Sequence, residues 1–305
     1  MSRAEVSAGN LKWIHIDKPK KEDFVFLQEL HPFDPIVMDY VSTPTLHPSL
    51  EEFGDNVYFI LHFPVIYQTQ RHNKTAEVDF LMTKSVLITI TYERYERLEK
   101  LFASCEEDQA LRSRYFRSHS GYILYLILER LYQQMINDRD HIEKSIDALE
   151  RDLFSSEDEM LVERISEVGR DILDFRRVFK TQSSVLALLP NALERMLGGD
   201  SIPKFSNVIV TQARIEQLLD SHKETIDTLL ATHRTLADSR TSRILKVLTL
   251  FSAIILPLSL VAGIWGMNQR FLPLRDGPND FWVVIAIMLT IAMALALIFR
   301  RAKWM

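Results

Sequence analysis

The chain has 305 residues, of which 47% are apolar and 25% are charged, and its formal net charge is −5. This balance argues against a nucleic-acid-binding protein, because such proteins usually carry a basic patch or a high pI. The single cysteine, Cys105, excludes an internal disulfide and suits a reducing compartment. The N-terminal residues lack the apolar core of a secretory signal, so most of the chain is expected to stay in the cytosol.

Residues 1–120 show a mixed pattern that is typical of an α/β domain. Two stretches with helical spacing, EDFVFLQEL and YERLEKLFASC, lie among short runs rich in β-branched and aromatic residues. These runs predict strands over residues 11–16, 56–63, 76–83 and 85–91. We therefore expect a cytosolic α/β domain with a small mixed sheet.

Long amphipathic helices are predicted from residue 121 onward. Residues 121–204 read as an antiparallel helix pair with an N-cap signal at 155–158, and Pro190 and the GGDSIP segment are expected to end it. A stalk helix over residues 205–246 contains no glycine or proline and is expected to continue into the first apolar run. Such a rod would be roughly 90 Å long. It would need to pack against other helices, most simply against parallel copies of itself.

The helix pair is acidic, with 13 Asp or Glu residues against 5 Lys or Arg residues between positions 138 and 174. A solvated helix surface explains this excess. Attraction of divalent cations explains it equally well, because carboxylate and water oxygens suit Mg²⁺. The sequence leaves both interpretations open.

Two apolar runs near the C-terminus have the length of membrane spans. Residues 247–264 and 281–299 contain no charge over 18 and 19 residues, enough for about 27–29 Å of helix. We predict transmembrane helix 1 over residues 247–268, an external loop over 269–280, transmembrane helix 2 over 281–299 and a basic cytosolic tail over 300–305. Basic residues before the first run and after the second predict that both termini are cytoplasmic, in the cell (inner) membrane.

One face of the first span gathers small and hydroxylated residues. A spacing of three and four residues joins Ser242, Leu245, Thr249, Ser252, Leu256, Ser259, Gly263 and Gly266. Such a face mediates tight helix packing in a bilayer, or it lines a narrow water-filled path. Two helices per chain cannot enclose a pore, so the second interpretation requires an oligomer. Pro257 removes one helical hydrogen bond and is expected to bend the segment.

Common catalytic motifs do not occur in the sequence, which contains no P-loop, no GxSxG and no HExxH pattern. The nine histidines are scattered along the chain. The chain is therefore predicted not to be an enzyme, and no organic cofactor is expected.

The segment ILKVLTLFSAIILPLSLVAGIWGMN, with a short loop, a second apolar run and the tail RRAKWM behind it, resembles the membrane region of the CorA family of divalent-cation transporters. A Gly-Met-Asn tripeptide alone is a weak motif, but at the end of the first of two C-terminal spans it is highly specific. LHPFDPIVMDYVSTPTLHPSLEEFGDNVYFILHFPVI resembles the cytosolic pattern of the same family. The resemblance covers essentially the whole chain.

This resemblance implies an α+β membrane protein with an N-terminal α/β cytosolic domain and a long helical hairpin. A very long stalk helix would continue into the first of two C-terminal transmembrane helices. The family forms homopentamers in which copies of that helix surround a central pore and the second span lies outside, against membrane lipid. No nucleic acid is implied as a partner.

Roles for individual residues follow from the resemblance. Gly266, Met267 and Asn268 would form the outer mouth, where Asn268 carboxamide oxygens hold the outer shell of hydrated Mg²⁺, an ion that dehydrates reluctantly. Ser259 would form a polar ring below the mouth. Leu248 and Leu256 would be hydrophobic constrictions that block ions by dewetting. The heptad face contains Thr249 rather than Leu248, and local bending near Pro257 could reconcile the two.

The implied function is Mg²⁺ influx driven by the membrane potential, with cytosolic Mg²⁺ holding the closed state through carboxylates that the sequence does not identify. Three departures from the family pattern concern selectivity: Trp265 replaces a tyrosine, Arg270 lies in a loop that is commonly acidic, and Ser242 replaces an asparagine. Transport of Zn²⁺, Co²⁺ or Ni²⁺ by the same fold therefore stays open. A membrane-anchored scaffold or sensor without transport is the third alternative.

Overall fold

The computed structural model describes residues 3–45, 47–65, 74–155, 160–198, 205–267 and 279–302. The chain divides into two compact units, Met1–Leu230 and Ala231–Met305. A mixed sheet and most of the helical residues belong to the first unit, and the candidate membrane segments belong to the second. The finer division of the chain that the sequence suggests stays a prediction.

The first unit contains a six-stranded sheet with the order β1-β2-β6-β5-β4-β3. The strands are β1 (Arg3–Ala8), β2 (Leu11–Asp17), β3 (Leu50–Phe53), β4 (Asn56–Val65), β5 (Lys74–Met82) and β6 (Val86–Thr91). Strands β2 and β6 pair in parallel and all other neighbours are antiparallel. The predicted mixed sheet is therefore confirmed, and its four predicted strands correspond to β2, β4, β5 and β6.

The two edge strands, β1 and β3, were not predicted from the sequence. Most of their residues are exposed or only half-buried, whereas nine of the ten residues of β4 are buried. An edge strand needs few apolar residues, because it has a neighbour on one side only and its outer face meets water. The hydrophobic signal that reveals a central strand is therefore weak at both edges.

Eight helices complete the described part of the chain. They are α1 (Lys21–Leu30), α2 (Pro35–Tyr40), α3 (Glu96–Glu107), α4 (Gln109–Tyr115), α5 (Ser120–Ser155), α6 (Leu161–Leu197), α7 (Ser206–Gly266) and α8 (Asp280–Arg301). Leu27 of α1 and Val37 of α2 belong to a buried apolar cluster that covers one face of the sheet. On the opposite face, Trp13 of β2 packs edge-on against Phe102 of α3, with ring centroids 4.9 Å apart.

Helices α5 and α6 are the predicted helix pair. Helix α6 continues through Pro190 and ends at Gly198, which adopts a left-handed conformation with φ of 69°. The prediction that Pro190 helps to end the pair is wrong. Leu189 and Leu193 are fully buried on either side of it, and this burial outweighs the one hydrogen bond that proline removes. Residues 156–158 of the predicted N-cap signal lie outside the described residues.

Helix α7 is continuous over 61 residues and includes Pro257. The prediction that the stalk helix runs directly into the first apolar run is therefore confirmed. The apolar windows of α7 and α8 have mean hydropathies of 2.4 and 2.8, and none of their residues is buried within the chain. Both helices are long and apolar enough to cross a ~30 Å hydrocarbon layer.

The single cysteine has a structural role. Cys105 is a free thiol that is fully buried on α3. Burial raises the pKa of its thiol to about 11, so the group stays protonated at neutral pH. A protonated, buried thiol is a poor nucleophile, which agrees with the absence of any catalytic pattern around it in the sequence.

A buried carboxyl group lies in the middle of the sheet. The Asp79 Oδ2 atom accepts hydrogen bonds from the hydroxyls of Tyr58 at 2.8 Å and Tyr92 at 2.9 Å. Its Oδ1 atom has no hydrogen-bond partner among the described residues. Burial, assisted by the neighbouring charge of Glu77, raises the pKa of Asp79 to about 8. The side chain is therefore mostly a neutral carboxylic acid at pH 7.

Replacement of Asp79 by asparagine should remove most of the pH dependence of stability between pH 6 and pH 8. The folded pKa lies above the ordinary value of 3.8, so the folded state binds the proton more tightly than the unfolded state. The contribution of Asp79 to stability is therefore greatest below pH 3.8 and is lost as the pH rises to about 8. The thermal unfolding midpoint of the full-length chain in detergent should fall over this range, and the midpoint of Asp79→Asn should fall much less.

The exposed Asp55, in the turn between β3 and β4, supplies the control. Asp55→Asn should keep the pH profile of the wild-type chain. If Asp79→Asn loses stability with rising pH as steeply as the wild-type chain, Asp79 is not the neutral acid described above.

Candidate ion pathway

Every residue of the predicted pore face is exposed within the single chain. The face comprises Ser242, Leu245, Thr249, Ser252, Leu256, Ser259, Gly263 and Gly266, all on α7. Leu256 is 72% exposed, and Leu248, a predicted constriction that lies beside this face, is 60% exposed. The described part of the chain therefore leaves the whole face uncovered.

A different stripe of α7 is partly buried. It comprises Leu250, Ala253, Ile254, Pro257, Leu258, Val261 and Trp265. At about 100° per residue, the centre of this stripe lies about 150° around the helix from the pore face. Helix α8 carries a partly buried stripe at similar spacing, which includes Val284, Met288, Ile291 and Leu295. The matching burial indicates that these are the stripes that α7 and α8, both in the second unit, turn toward each other.

The two glycines of the pore face are not required by contacts within the chain. A Cβ atom added to Gly263 or Gly266 would meet no atom within 4 Å. At Gly169 of α6, by contrast, an added Cβ would lie 3.2 Å from Ile226 Cγ2, so that glycine permits a close approach of α7. Small residues without such a neighbour in their own chain are those expected to face another molecule or water.

One hydroxyl of the face is satisfied by its own helix. The Thr249 hydroxyl donates to the carbonyl oxygen of Leu245 at 2.7 Å, the usual arrangement for a hydroxyl inside a membrane helix. The oxygen keeps an acceptor position that points away from this bond. It can therefore receive a hydrogen bond from water without breaking the helix.

The Gly-Met-Asn tripeptide stands at the C-terminal end of α7. The helix ends at Gly266, and the backbone N–H of Met267 donates to the Ile264 carbonyl oxygen at 3.2 Å. The last carbonyl groups of a helix lack intrahelical partners and carry the negative end of its dipole, which favours cations. Asn268 and Arg270, the residues on which selectivity was predicted to depend, lie outside the described residues.

A regulatory cation site is not formed by the described residues of one chain. No group of three His, Cys, Asp or Glu side chains among them lies close enough to hold a metal ion. Part of the acidic excess stabilises the helix pair itself, because Asp152 of α5 forms a 2.6 Å ion pair with Arg164 of α6. The regulatory carboxylates stay unassigned.

Comparisons with known proteins agree along the length of the chain. Residues 8–301 match the family model described as CorA-like Mg²⁺ transporter protein. The cobalt/magnesium transport protein CorA of Thermotoga maritima is 23% identical over 299 residues, which cover 96% of this chain and 83% of that protein. The zinc transport protein ZntB of Pectobacterium carotovorum is 19% identical over 309 residues, which cover 96% of this chain and 88% of that protein.

The fold is shared with a solved transporter. The complete structure of the CorA magnesium transporter from Methanocaldococcus jannaschii matches with a TM-score of 0.81 at 22% identity, over 99% of this chain and 94% of that chain. The predicted fold class is thereby confirmed: an N-terminal α/β domain, long helices and two candidate C-terminal spans.

The family consists of membrane transporters, so the predictions of a membrane protein and of a chain that is not an enzyme are confirmed. With a match that begins at residue 8, ends at residue 301 and includes both apolar helices, the chain belongs to the CorA family of divalent-cation transporters.

Proposed function

We propose that this transporter admits Mg²⁺ through a pore that α7 forms with copies of itself in a homopentamer. The observation that carries the proposal is the pore face of α7, which is exposed along its whole length and lies away from the stripe turned toward α8. The face holds the hydroxyls and both glycines of the span, and no contact with the described residues accounts for the glycines. A face of this kind is suited to surround water.

The pore face also suits a hydrated ion better than a bare one. Its groups are hydroxyls, backbone carbonyls and, at the mouth, the carboxamide of Asn268. These are weak ligands that can hydrogen-bond to the water shell of Mg²⁺ without replacing it. The membrane potential supplies the driving force, at about 4.6 kcal/mol for a divalent ion crossing 100 mV. Both termini are cytoplasmic in this proposal, and the protein resides in the inner membrane.

Two leucine rings would close the pathway. Leu248 and Leu256 are eight residues apart, which separates them by about 12 Å along the helix. Both are exposed and would project toward the axis from the same side of α7. A narrow apolar ring expels water and so blocks an ion that keeps its hydration shell. We propose that cytosolic Mg²⁺ favours this closed arrangement.

Zn²⁺ is the second candidate substrate. Its support is the similarity to the zinc transport protein ZntB. The charge of Arg270 would lower the local concentration of either divalent cation at the outer mouth and does not distinguish them. Similarity to the cobalt/magnesium transport protein CorA and the match to the Mg²⁺ transporter family model favour Mg²⁺. Membership of a transporter family decides against a scaffold without transport.

Replacement of Asn268 by alanine should reduce Mg²⁺ flux into proteoliposomes by at least about tenfold, because the mouth loses its ring of carboxamide oxygens. Asn279→Ala is the matched control. Asn279 stands before α8 at the other end of the same loop, and its side chain forms no capping hydrogen bond. That variant should transport within about twofold of the wild-type rate. Unchanged flux in Asn268→Ala would remove Asn268 from the selectivity role.

Replacement of Leu256 by serine should raise the resting leak of Mg²⁺, because a hydroxyl keeps the constriction wet. Leu289→Ser on α8 is the matched control. Leu289 is 62% exposed, comparable to Leu256, but it belongs to the helix proposed to lie outside the pore ring. The leak should be unaffected in this control. A leak that rises equally in both variants, or in neither, would show that Leu256 does not gate the pathway.

A further inference from the structure

A cavity outside the ion pathway lies between α3, α4 and α5 in the first unit. Its volume is about 450 Å³, which falls in the range of roughly 300–1,000 Å³ that is usual for small-molecule sites. Leu101 and Ser104 of α3, Leu111 and Arg114 of α4, and Arg130 and Gln133 of α5 contribute to its lining. Three helices thus present both apolar and polar groups to one space.

Two arginines at this cavity have no structural partner. Arg114 and Arg130 are both exposed, and neither forms an ion pair or a side-chain hydrogen bond with another residue that the structure describes. Arg112 differs from them, because its guanidinium donates to the carbonyl oxygens of Cys105 at 3.0 Å and of Glu106. Arg112 therefore ties α4 to the end of α3, whereas the other two guanidinium groups are free to bind a ligand.

The electrostatics of the lining favour an anion. The lining includes two positive charges, Arg114 and Arg130, against one negative charge, Glu129. The Glu129 Oε1 atom already accepts a 2.7 Å hydrogen bond from the Tyr125 hydroxyl. Burial raises the pKa of Tyr115 to about 12, while the charges of Arg130 and Arg114 oppose this shift. Both guanidinium groups thus act on the Tyr115 phenol, which stays a neutral hydrogen-bond donor.

Part of the remaining wall of the cavity is apolar, beside the polar Ser104 and Gln133. Leu101, Leu111 and Leu126 line it, one from each of the three helices. A small inorganic anion would fill only part of 450 Å³ and would leave the half-buried Leu111 in contact with water, whereas Leu101 and Leu126 are already buried. A ligand with an anionic group and an organic body would contact both the arginines and the leucines of the lining.

We propose that this cavity binds a small phosphorylated organic molecule, whose phosphate oxygens accept hydrogen bonds from Arg114 and Arg130. Guanidinium groups suit this role because their planar fork matches the oxygens of a phosphate group. The organic part packs against Leu101, Leu111 and Leu126. The site is independent of the pore proposed above, and either can fail without the other.

Titration calorimetry of the full-length chain in detergent tests this site, with ADP and inorganic pyrophosphate as probes in Mg²⁺-free buffer of constant ionic strength. ADP should bind saturably and more tightly than pyrophosphate, because only ADP can cover the leucines. The double variant Arg114→Gln/Arg130→Gln should bind ADP at least about tenfold more weakly. Glu129→Gln should bind ADP more tightly, since it removes the one opposing charge of the lining.

Arg117→Gln is the matched control, because Arg117 is exposed just after α4 and does not line the cavity. It should bind ADP with the affinity of the wild-type chain, and the unfolding midpoints of all variants should agree with that of the wild-type chain. Absence of saturable binding, or equal affinity in the wild-type chain and the double variant, overturns the site. Pyrophosphate binding as tight as ADP binding overturns the assignment of an organic ligand.

Discussion

The hydrocarbon core of a membrane cannot solvate an ion, and this constraint accounts for the arrangement of the second unit. Each polar atom on a spanning helix must face protein or water. Helix α7 meets this requirement by separating its residues into two stripes, one partly buried beside α8 and one exposed that carries Thr249, Ser252 and Ser259. A single chain cannot shield the second stripe from lipid. The polarity of that stripe is thus the physical reason for proposing that several copies assemble around it.

The need to keep polar atoms of the span in contact with protein or water also explains why two residues near the end of α7 are glycines. Gly263 and Gly266 leave open space within the chain, so their lack of side chains serves no packing need that one copy creates. Near the end of α7, small residues and unpartnered carbonyl groups would give the proposed pore a negatively polarised opening. Deeper in the span, Leu248 and Leu256 are large and apolar. In the proposed pore, the span would therefore change from a polar mouth to an apolar constriction. A pathway that admits a hydrated cation and can also be closed requires both.

Much of the architecture can be predicted from local patterns in the sequence. The two apolar runs, the unbroken helix from Ser206 to Gly266 and the central strands each follow from composition or periodicity over a short stretch. Features that depend on tertiary contacts could not be found this way. The strands β1 and β3 bury too little to show a pattern, and α6 passes through Pro190 because residues far along the chain bury its leucines.

The candidate sites also divide into those that local sequence patterns reveal and those that depend on tertiary contacts. The pore face is visible in the sequence because its residues share one helix and recur at a fixed spacing. The cavity that Arg114 and Arg130 line is built from three helices, so no spacing along the chain could have indicated it. The neutral state of Asp79 likewise results from burial among Tyr58, Tyr92 and Glu77, which come together only in the folded sheet.

The most direct test of the central claim is divalent-cation flux into proteoliposomes that contain the full-length chain, measured at several imposed membrane potentials. Mg²⁺ entry should increase as the interior becomes more negative, and an equal concentration of Zn²⁺, Co²⁺ or Ni²⁺ should enter more slowly. Zn²⁺ entry without Mg²⁺ entry, or Mg²⁺ entry that does not respond to the potential, would contradict the account.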